Sequence, residues 1–235
     1  MDEYQKNDLH TLRAAPRYRE YLGGLCAPYV EGARVLEVGA GLGDLSQQLL
    51  NYNPAEIVLS EPGDECFEEL SQIKHPKLKL QKKFSFEMVQ DQKESFDTVI
   101  YSNVLEHIED DVSELKTAAQ LLKPGGYLVV IVPAHSFLYS EIDKKLLHFR
   151  RYNIRDFERL LQKVPTLDLI DCRYINKIGV AGWMLNKVRK TTEQSSFLFS
   201  VFDKYFLPVS IKLDAVAPKS FGLSLLVVMK KRGTS

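Results

Sequence analysis

The chain has 235 residues with 31 basic and 31 acidic side chains, so no global field would gather nucleic acid or an anionic membrane. That length accommodates one large domain, or one domain with a sizeable insertion. Cys26, Cys66 and Cys172 are too widely spaced to read as a metal-ligand or redox set, so no metal is expected, and they fit a reducing, cytoplasmic setting. The polar start, Met1 to Asp8, has no signal-peptide pattern, and no apolar stretch reaches the length of a membrane span.

In chain order, residues 8–30 read as a helix with Leu9, Leu12, Tyr18, Tyr21, Leu22 and Leu25 on a ragged apolar face. Arg34–Val38 is a strand, followed by Gly39-Ala40-Gly41-Leu42-Gly43 and a helix carrying Leu45, Leu49 and Leu50. A second strand starts at Glu56 and ends in Glu61, Pro62 and Gly63, and a helix through Cys66, Phe67 and Leu70 follows. Residues 77–84 alternate like an edge or exposed strand. Residues 96–103 form a buried strand, and 110–122 an amphipathic helix stopped by Lys123-Pro124-Gly125-Gly126. Residues 127–132 are apolar enough for a central parallel strand. A loop at 133–153, a helix at 154–163, a strand at 167–174, a helical, aromatic-rich insertion at 177–217 and a strand at 224–229 complete the chain. This alternation of strands and helices implies an α/β fold, a parallel sheet covered on both faces, and the strands number seven.

The glycine turn narrows the ligand. Strand, tight turn and helix open a nucleotide-binding βα unit. The dinucleotide fingerprint is G-x-G-x-x-G, but here Asp44 stands where the third dinucleotide glycine falls. A carboxylate at that helix start opposes a pyrophosphate. Glu37, Asp44 and Glu61 instead suggest an acidic rim suited to a ligand with positive charge and hydroxyls.

Glu37, Gly39, Gly41 and Gly43 resemble the E/D-x-G-x-G-x-G motif of class I S-adenosylmethionine-dependent methyltransferases, whose cofactor carries a sulfonium and an ammonium. The run FDTVIYSNVLEHI at 96–108 resembles the fourth-strand signature of that family, and LLKPGGYL at 121–128 another of its landmarks. The resemblance implies a Rossmann-like, mostly parallel sheet with its last strand antiparallel, S-adenosylmethionine as cofactor and S-adenosylhomocysteine as product. It also implies that Glu61, followed by Pro62, holds the ribose hydroxyls and that Ser102, Asn103 and Val104 lie along the cofactor. The resemblance further implies that Tyr18, on an N-terminal helix expected to cover the site, contacts the methionine carboxylate, the alternative being simple helix packing. After the third strand the chain departs from the family pattern of a small residue and an acid. There Phe84 or Phe86 is expected to sandwich the adenine, with Ser85 or a backbone carbonyl as its polar contact. Glu106 and His107 read as holding the loop, His107 through backbone.

Residues 133–143, followed by His148-Phe149-Arg150-Arg151-Tyr152, resemble a bacterial subgroup with a P-A-x-x-x-L-(Y/F)-(S/G)-x-x-D…H-x-R-R-Y segment. Transfer to a hydroxyl requires alignment and removal of a proton. His148 is the candidate base, Arg151 or Arg150 a clamp for an acidic acceptor, and Tyr152 completes the catalytic set. The competing explanation is an Arg and Tyr cluster that pins the loop to the helix at 154. Between Asp171 and Glu193 the charged residues are all basic, Arg173 before the insertion and Lys177, Lys187, Arg189 and Lys190 within it; Trp183, Val180, Met184 and Val188 supply an apolar face, and residues 197–207 an aromatic stretch. This is a helical lid, or a surface that receives a greasy acceptor or touches a membrane. Residues 1–235 are thus expected to form one methyltransferase domain, with 1–30 as a cover and 177–217 as a lid. The expected function is methyl transfer, to oxygen first, onto a small-molecule or lipid-linked acceptor. The alternative is a protein of this fold that uses the bound cofactor for other chemistry or binds a partner.

Overall fold

Successive residues of a strand face opposite sides of its sheet, and in this chain both sides are apolar. The computed structural model describes residues 13–189, 196–217 and 221–233; the predicted helical residues 8–12 and Lys190 lie outside them. Its strands are β1 (Arg34–Val38), β2 (Glu56–Ser60), β3 (Leu78–Gln81), β4 (Phe96–Ser102), β5 (Leu122–Pro133), β6 (Leu167–Ile175) and β7 (Ser224–Lys231). They form one sheet in the order β3-β2-β1-β4-β5-β7-β6. All pairings from β3 to β5 are parallel, and β7 runs antiparallel to both β5 and β6.

Val35, Ile57, Leu59 and Ile100 pack with Leu22, Leu49 and Leu70, which lie on helices α1 (Pro16–Cys26), α2 (Asp44–Leu49) and α3 (Asp64–Leu70). Their neighbours Leu36, Val58, Val99 and Tyr101 pack with Met88, Leu115 and Phe157 of α4 (Ser85–Gln92), α5 (Asp111–Leu121) and α7 (Ile154–Lys163). Sheet and helices thus form three layers with a core on each face. The strand order reverses at β1 and β4, and the carboxyl ends of the parallel strands meet there in the crevice where open α/β sheets bind ligands.

Three segments depart from the periodicity. Residues 85–92 are helical because Glu87 accepts a hydrogen bond from the Phe84 N–H at 2.7 Å, closing the first turn. The Lys123-Pro124-Gly125-Gly126 stop lies inside β5. Leu122 pairs with Phe96, the register shifts before Tyr127 meets Thr98, and Gly125 absorbs the irregularity at φ +80°. The segment 133–153 contains the short helix α6 (Glu141–Lys145) rather than loop alone, its first turn closed by Asp143 on the Ser140 N–H at 2.8 Å.

The insertion forms α8 (Gly179–Arg189), α9 (Ser196–Val201), a π-helical turn at Phe202–Phe206 and α10 (Leu207–Val216). It is tied to α1. Asp203 accepts from the Arg17 and Tyr18 backbone N–H groups at 3.1 and 2.8 Å, capping α1 with a side chain from far along the chain. Asp214 accepts from the Tyr21 hydroxyl at 2.9 Å and from the Asn176 N–H at 2.7 Å. The buried Lys177 ammonium lies 3.4 Å from Asp214. Phe197, Leu198, Tyr205, Phe206, Val209 and Leu213 remain exposed. No helix of the described residues is long and apolar enough to cross a membrane.

Candidate functional site

The turn after β1 is bent by positive φ at Gly39 (+64°), Gly41 (+54°) and Gly43 (+77°). Its glycines do different things. A Cβ on Gly39 would lie 2.7 Å from Cγ2 of Val104, so the β1 turn and the segment after β4 touch across the crevice. A Cβ on Gly43 would lie 2.6 and 2.7 Å from the terminal methyls of Ile73 and Leu70, which can shift, so the left-handed φ of +77° is what calls for glycine there. Gly41 donates its N–H to Oε2 of Glu61 at 2.8 Å, and Gly63, beyond the half-buried Pro62, donates to Oε1 at 2.9 Å. Glu61 thereby joins the turns after β1 and β2.

Four donors of the glycine turn are committed. Gly39 and Ala40 donate to the Ser60 carbonyl at 2.8 and 3.1 Å, Gly41 to Glu61, and Gly43 to the Ala40 carbonyl at 2.9 Å. A pyrophosphate would find a carboxylate where it needs free N–H groups. Glu37 is buried with Ser46 Oγ donating to it at 2.5 Å. Burial pushes its pKa up to about 7, the Ser46 bond opposing this and the Asp44 and Glu61 charges adding to it. Asp44, in contrast, is paired with Arg13 at 3.3 Å and Arg19 at 2.8 Å, so the acidic lining reduces to Glu37 and Glu61. Two carboxylates at the strand ends, one of them occupying the Gly41 N–H, fit a cationic ligand bearing a diol, the chemistry of S-adenosylmethionine.

At the end of β4, Asn103 stands exposed at φ +53°, its N–H held by the Ile131 carbonyl at 2.8 Å, between the half-buried Ser102 and Val104. Phe84 and Phe86 are exposed and stacked at 5.5 Å. Ser85 points the other way. Its buried Oγ donates to Glu114 at 2.6 Å, alongside the Tyr101 hydroxyl at 2.6 Å, so this side chain belongs to the core rather than to a ligand face. Tyr18 is also directed inward, its phenol hydrogen-bonded with Ser224 and Asn176 and its pKa raised by burial.

The H-x-R-R-Y segment returns to the end of β5, where Ala134 bridges to Tyr152. Tyr152 is buried and its hydroxyl reaches Asp111 at 3.1 Å and the Leu105 carbonyl at 3.3 Å. Arg150 binds Asp111 at 2.6 Å. Arg151 is buried, with Nε on Asp143 at 2.7 Å and its guanidinium carbon 4.2 Å from the centroid of the Trp183 ring. Trp183 donates Nε1–H to the Leu138 carbonyl at 3.0 Å, which seats α8 over this segment. Both side chains thus already hold protein partners.

His148 is different. Its Nδ1 lies 3.0 Å from Asp143 Oδ1, and its Nε2 lies 4.0 Å from Glu106 Oε1. The His107 and His148 rings meet edge to face at 4.7 Å. Burial would raise the Asp143 carboxyl, but hydrogen bonds from His148 and Arg151 hold it below the ordinary range. Glu106 is wholly buried with neither oxygen hydrogen-bonded, and burial pushes its pKa up to about 8. Burial lowers the His107 pKa to about 4, the neighbouring His148 adding to the effect, while a ring nitrogen donates to the Leu147 carbonyl. The expectation of a loop-holding, backbone-bonded His107 therefore describes one side of its ring. Glu106, His107 and the orienting Asp143 were not among the predicted site residues, although the Glu-His pair directly after β4 and the acid five positions before His148 stand in the sequence.

Residues 9–171 match the family model described as "Methyltransferase domain". The chain belongs to this family. It is an S-adenosylmethionine-dependent methyltransferase with the Rossmann-like sheet of the class I enzymes. It is 23% identical over 167 residues to a ubiquinone biosynthesis O-methyltransferase of Aliivibrio fischeri, covering 68% of this chain and 71% of that one. It is 34% identical over 101 residues to the protein of the same name from Xanthomonas euvesicatoria, covering 41% of each. In fold it is similar to a chain of the complex between the Haloferax volcanii Trm112 methyltransferase activator and a methyltransferase, with a TM-score of 0.69, 14% identity and 99% of both chains covered.

Proposed function

We propose that this methyltransferase acts on a hydroxyl of a small-molecule or lipid-linked acceptor. The observation that carries this is the contact between Gly39 and Val104, which brings the cofactor turn against the segment leading directly into Glu106, His107 and the facing His148. Relatives named O-methyltransferases favour oxygen as the acceptor atom.

Bound in the crevice, S-adenosylmethionine supplies an electrophilic methyl group. The chain's own residues bind and orient. Glu61 keeps lone pairs for the ribose hydroxyls beyond those used by Gly41 and Gly63. Glu37 supplies negative charge for the cationic end, and Gly39 and Gly41 allow close approach to bare backbone. Pro62, Ser102, Asn103 and Val104 line the crevice, and Phe84 with Phe86 offers an exposed aromatic face for the adenine. On the acceptor side His148 is the reactive group. Asp143 fixes its Nδ1 and leaves Nε2 free of a close hydrogen bond on the acceptor side. Arg151 and Tyr152 act as positioning residues, one through Asp143 and the other through Asp111. α1 and residues 177–217 together form the cover, and Tyr18 serves within it by joining α1 to β7.

Calorimetry with S-adenosylhomocysteine, followed by radiolabelled methyl transfer to hydroxylated aromatic and lipid-linked acceptors, tests this. Glu61→Ala is expected to weaken S-adenosylhomocysteine by about 1.5–3 kcal/mol, the usual worth of hydrogen bonds to a charged group. An unchanged affinity, or tight binding of NAD in its place, refutes the assignment.

A further inference from the structure

We propose that Glu106, His107 and His148 form a binding site for a divalent transition-metal ion with coordination positions left for the acceptor oxygen. Each residue offers one ligand atom, and the three atoms lie within 4.8 Å of one another. Zinc-like ions hold their ligands at about 2.0–2.2 Å, so each side chain closes by roughly 1 Å on binding.

Two features of the surroundings point to an ion. The first is Glu106, which is wholly buried with both carboxylate oxygens unpartnered. Buried carboxylate oxygens are ordinarily hydrogen-bonded, and an orphaned pair requires a cause. Its charge counterpart Arg151 is engaged by Asp143 instead. The second is the arrangement of the imidazoles. His148 holds Asp143 through Nδ1, and His107 donates one ring nitrogen to the Leu147 carbonyl. Each ring thereby keeps the nitrogen that is not so bonded for a cation, the outer-shell arrangement that orients metal-ligating histidines. Leu147 adopts φ +58°, a costly conformation for a bulky side chain, at the residue whose carbonyl holds His107.

The donor set selects the class of ion. Two imidazoles and one carboxylate suit zinc, cobalt or iron(II), whereas magnesium and calcium favour all-oxygen sites. Three protein ligands also leave positions open, as in catalytic rather than structural sites. This inference rests on the hydroxyl-acceptor assignment for its purpose. The ion would hold the acceptor oxygen and acidify its proton, which passes to solvent, and the Nε2 lone pair of His148 would serve the ion.

Titration of Co2+ into the metal-free 235-residue chain, read by calorimetry and by visible d–d absorption, tests the site. One ion per chain is expected, weakened at least about 100-fold by Glu106→Gln and by His107→Gln, and about 10–100-fold by Asp143→Asn acting through His148. Zn2+ should raise the Tm of the parent and leave that of Glu106→Gln unmoved. If Glu106→Gln fails to fold, the His107→Gln titration decides. Absence of Co2+ binding, or binding equal in the parent and in the folded variants, overturns the site. S-adenosylhomocysteine affinity on the same samples separates the two levels. A parent that binds the nucleoside but no ion loses only the metal site, and one that binds neither loses the cofactor assignment as well.

Discussion

Glu37 ties stability and cofactor affinity to pH in a way that can be measured. It is buried at the end of β1, and its pKa is raised from 4.5 to about 7, chiefly by burial. The folded chain therefore keeps this proton over a range in which the unfolded chain has lost it. More protons bound in the folded state means that stability falls as pH rises, from about 4.5 until the folded carboxyl itself ionises near 7. At about 1.36 kcal/mol per unit, the shift corresponds to roughly 3 kcal/mol lost across that window. Glu37→Gln keeps an oxygen for Ser46 and removes the titration. Urea unfolding at pH 5, 6, 7 and 8 is expected to show the parent losing about 2–3 kcal/mol more than Glu37→Gln over the series. Binding of the cationic cofactor favours the ionised carboxylate, so at pH 6.5 calorimetry in buffers of different ionisation enthalpy should detect proton release by the parent and none by the variant. Parallel stability profiles would refute the buried, neutral Glu37.

Other substitutions test the remaining joints of the structure. Gly39→Ala places a Cβ 2.7 Å from Val104 at φ +64°; it should cost about 1–2 kcal/mol in urea unfolding and abolish S-adenosylhomocysteine binding, with Val104→Ala restoring part of the stability only. Asp214→Ala strands the buried Lys177 ammonium and releases the Tyr21 hydroxyl and the Asn176 N–H; it should destabilise by about 3–5 kcal/mol and speed amide exchange in α1. Trp183→Ala removes the ring beneath the Arg151 guanidinium, and should raise acceptor KM by roughly tenfold while leaving cofactor Kd within about twofold.

The proposed cofactor half of the site could be read from motifs because its determinants are local. Glu37, the three glycines and Glu61 lie at strand ends, and one βα unit fixes their geometry. Gly43 shows the limit of a motif: Gly39 faces Val104 across the crevice, whereas Gly43 faces Leu70 and Ile73 and is called for by its left-handed φ. Asp44 looked like part of an acidic rim until Arg13 and Arg19, from the opposite side of β1 in sequence, neutralised it. Ser85 looked ligand-facing because the helix that turns it toward Glu114 depends on Glu87 capping, a weak signal inside a short polar stretch. The acceptor half was illegible for a different reason. Glu106 with His107 and His148 come from the ends of different strands, and only the return of residues 148–152 to β5 brings them together.

The cover has a consequence that neither of its segments shows alone. α1 would be a marginal helix in isolation: it is short, Ala15 provides no side-chain cap, and its first turn lacks an acidic residue. Asp203 supplies that cap from the insertion, and Asp214 binds Tyr21 one turn further on. The helix preceding the cofactor strand is therefore completed by the segment that, through Trp183, also contacts the acceptor side. Displacement of α9 or α10 would uncap α1 and loosen its packing against α2. If the insertion covers the acceptor side as proposed, two buried carboxylates couple it to α1, so substitutions at Asp203 should alter both acceptor and cofactor binding, whereas those confined to the Trp183 contact should alter acceptor binding alone.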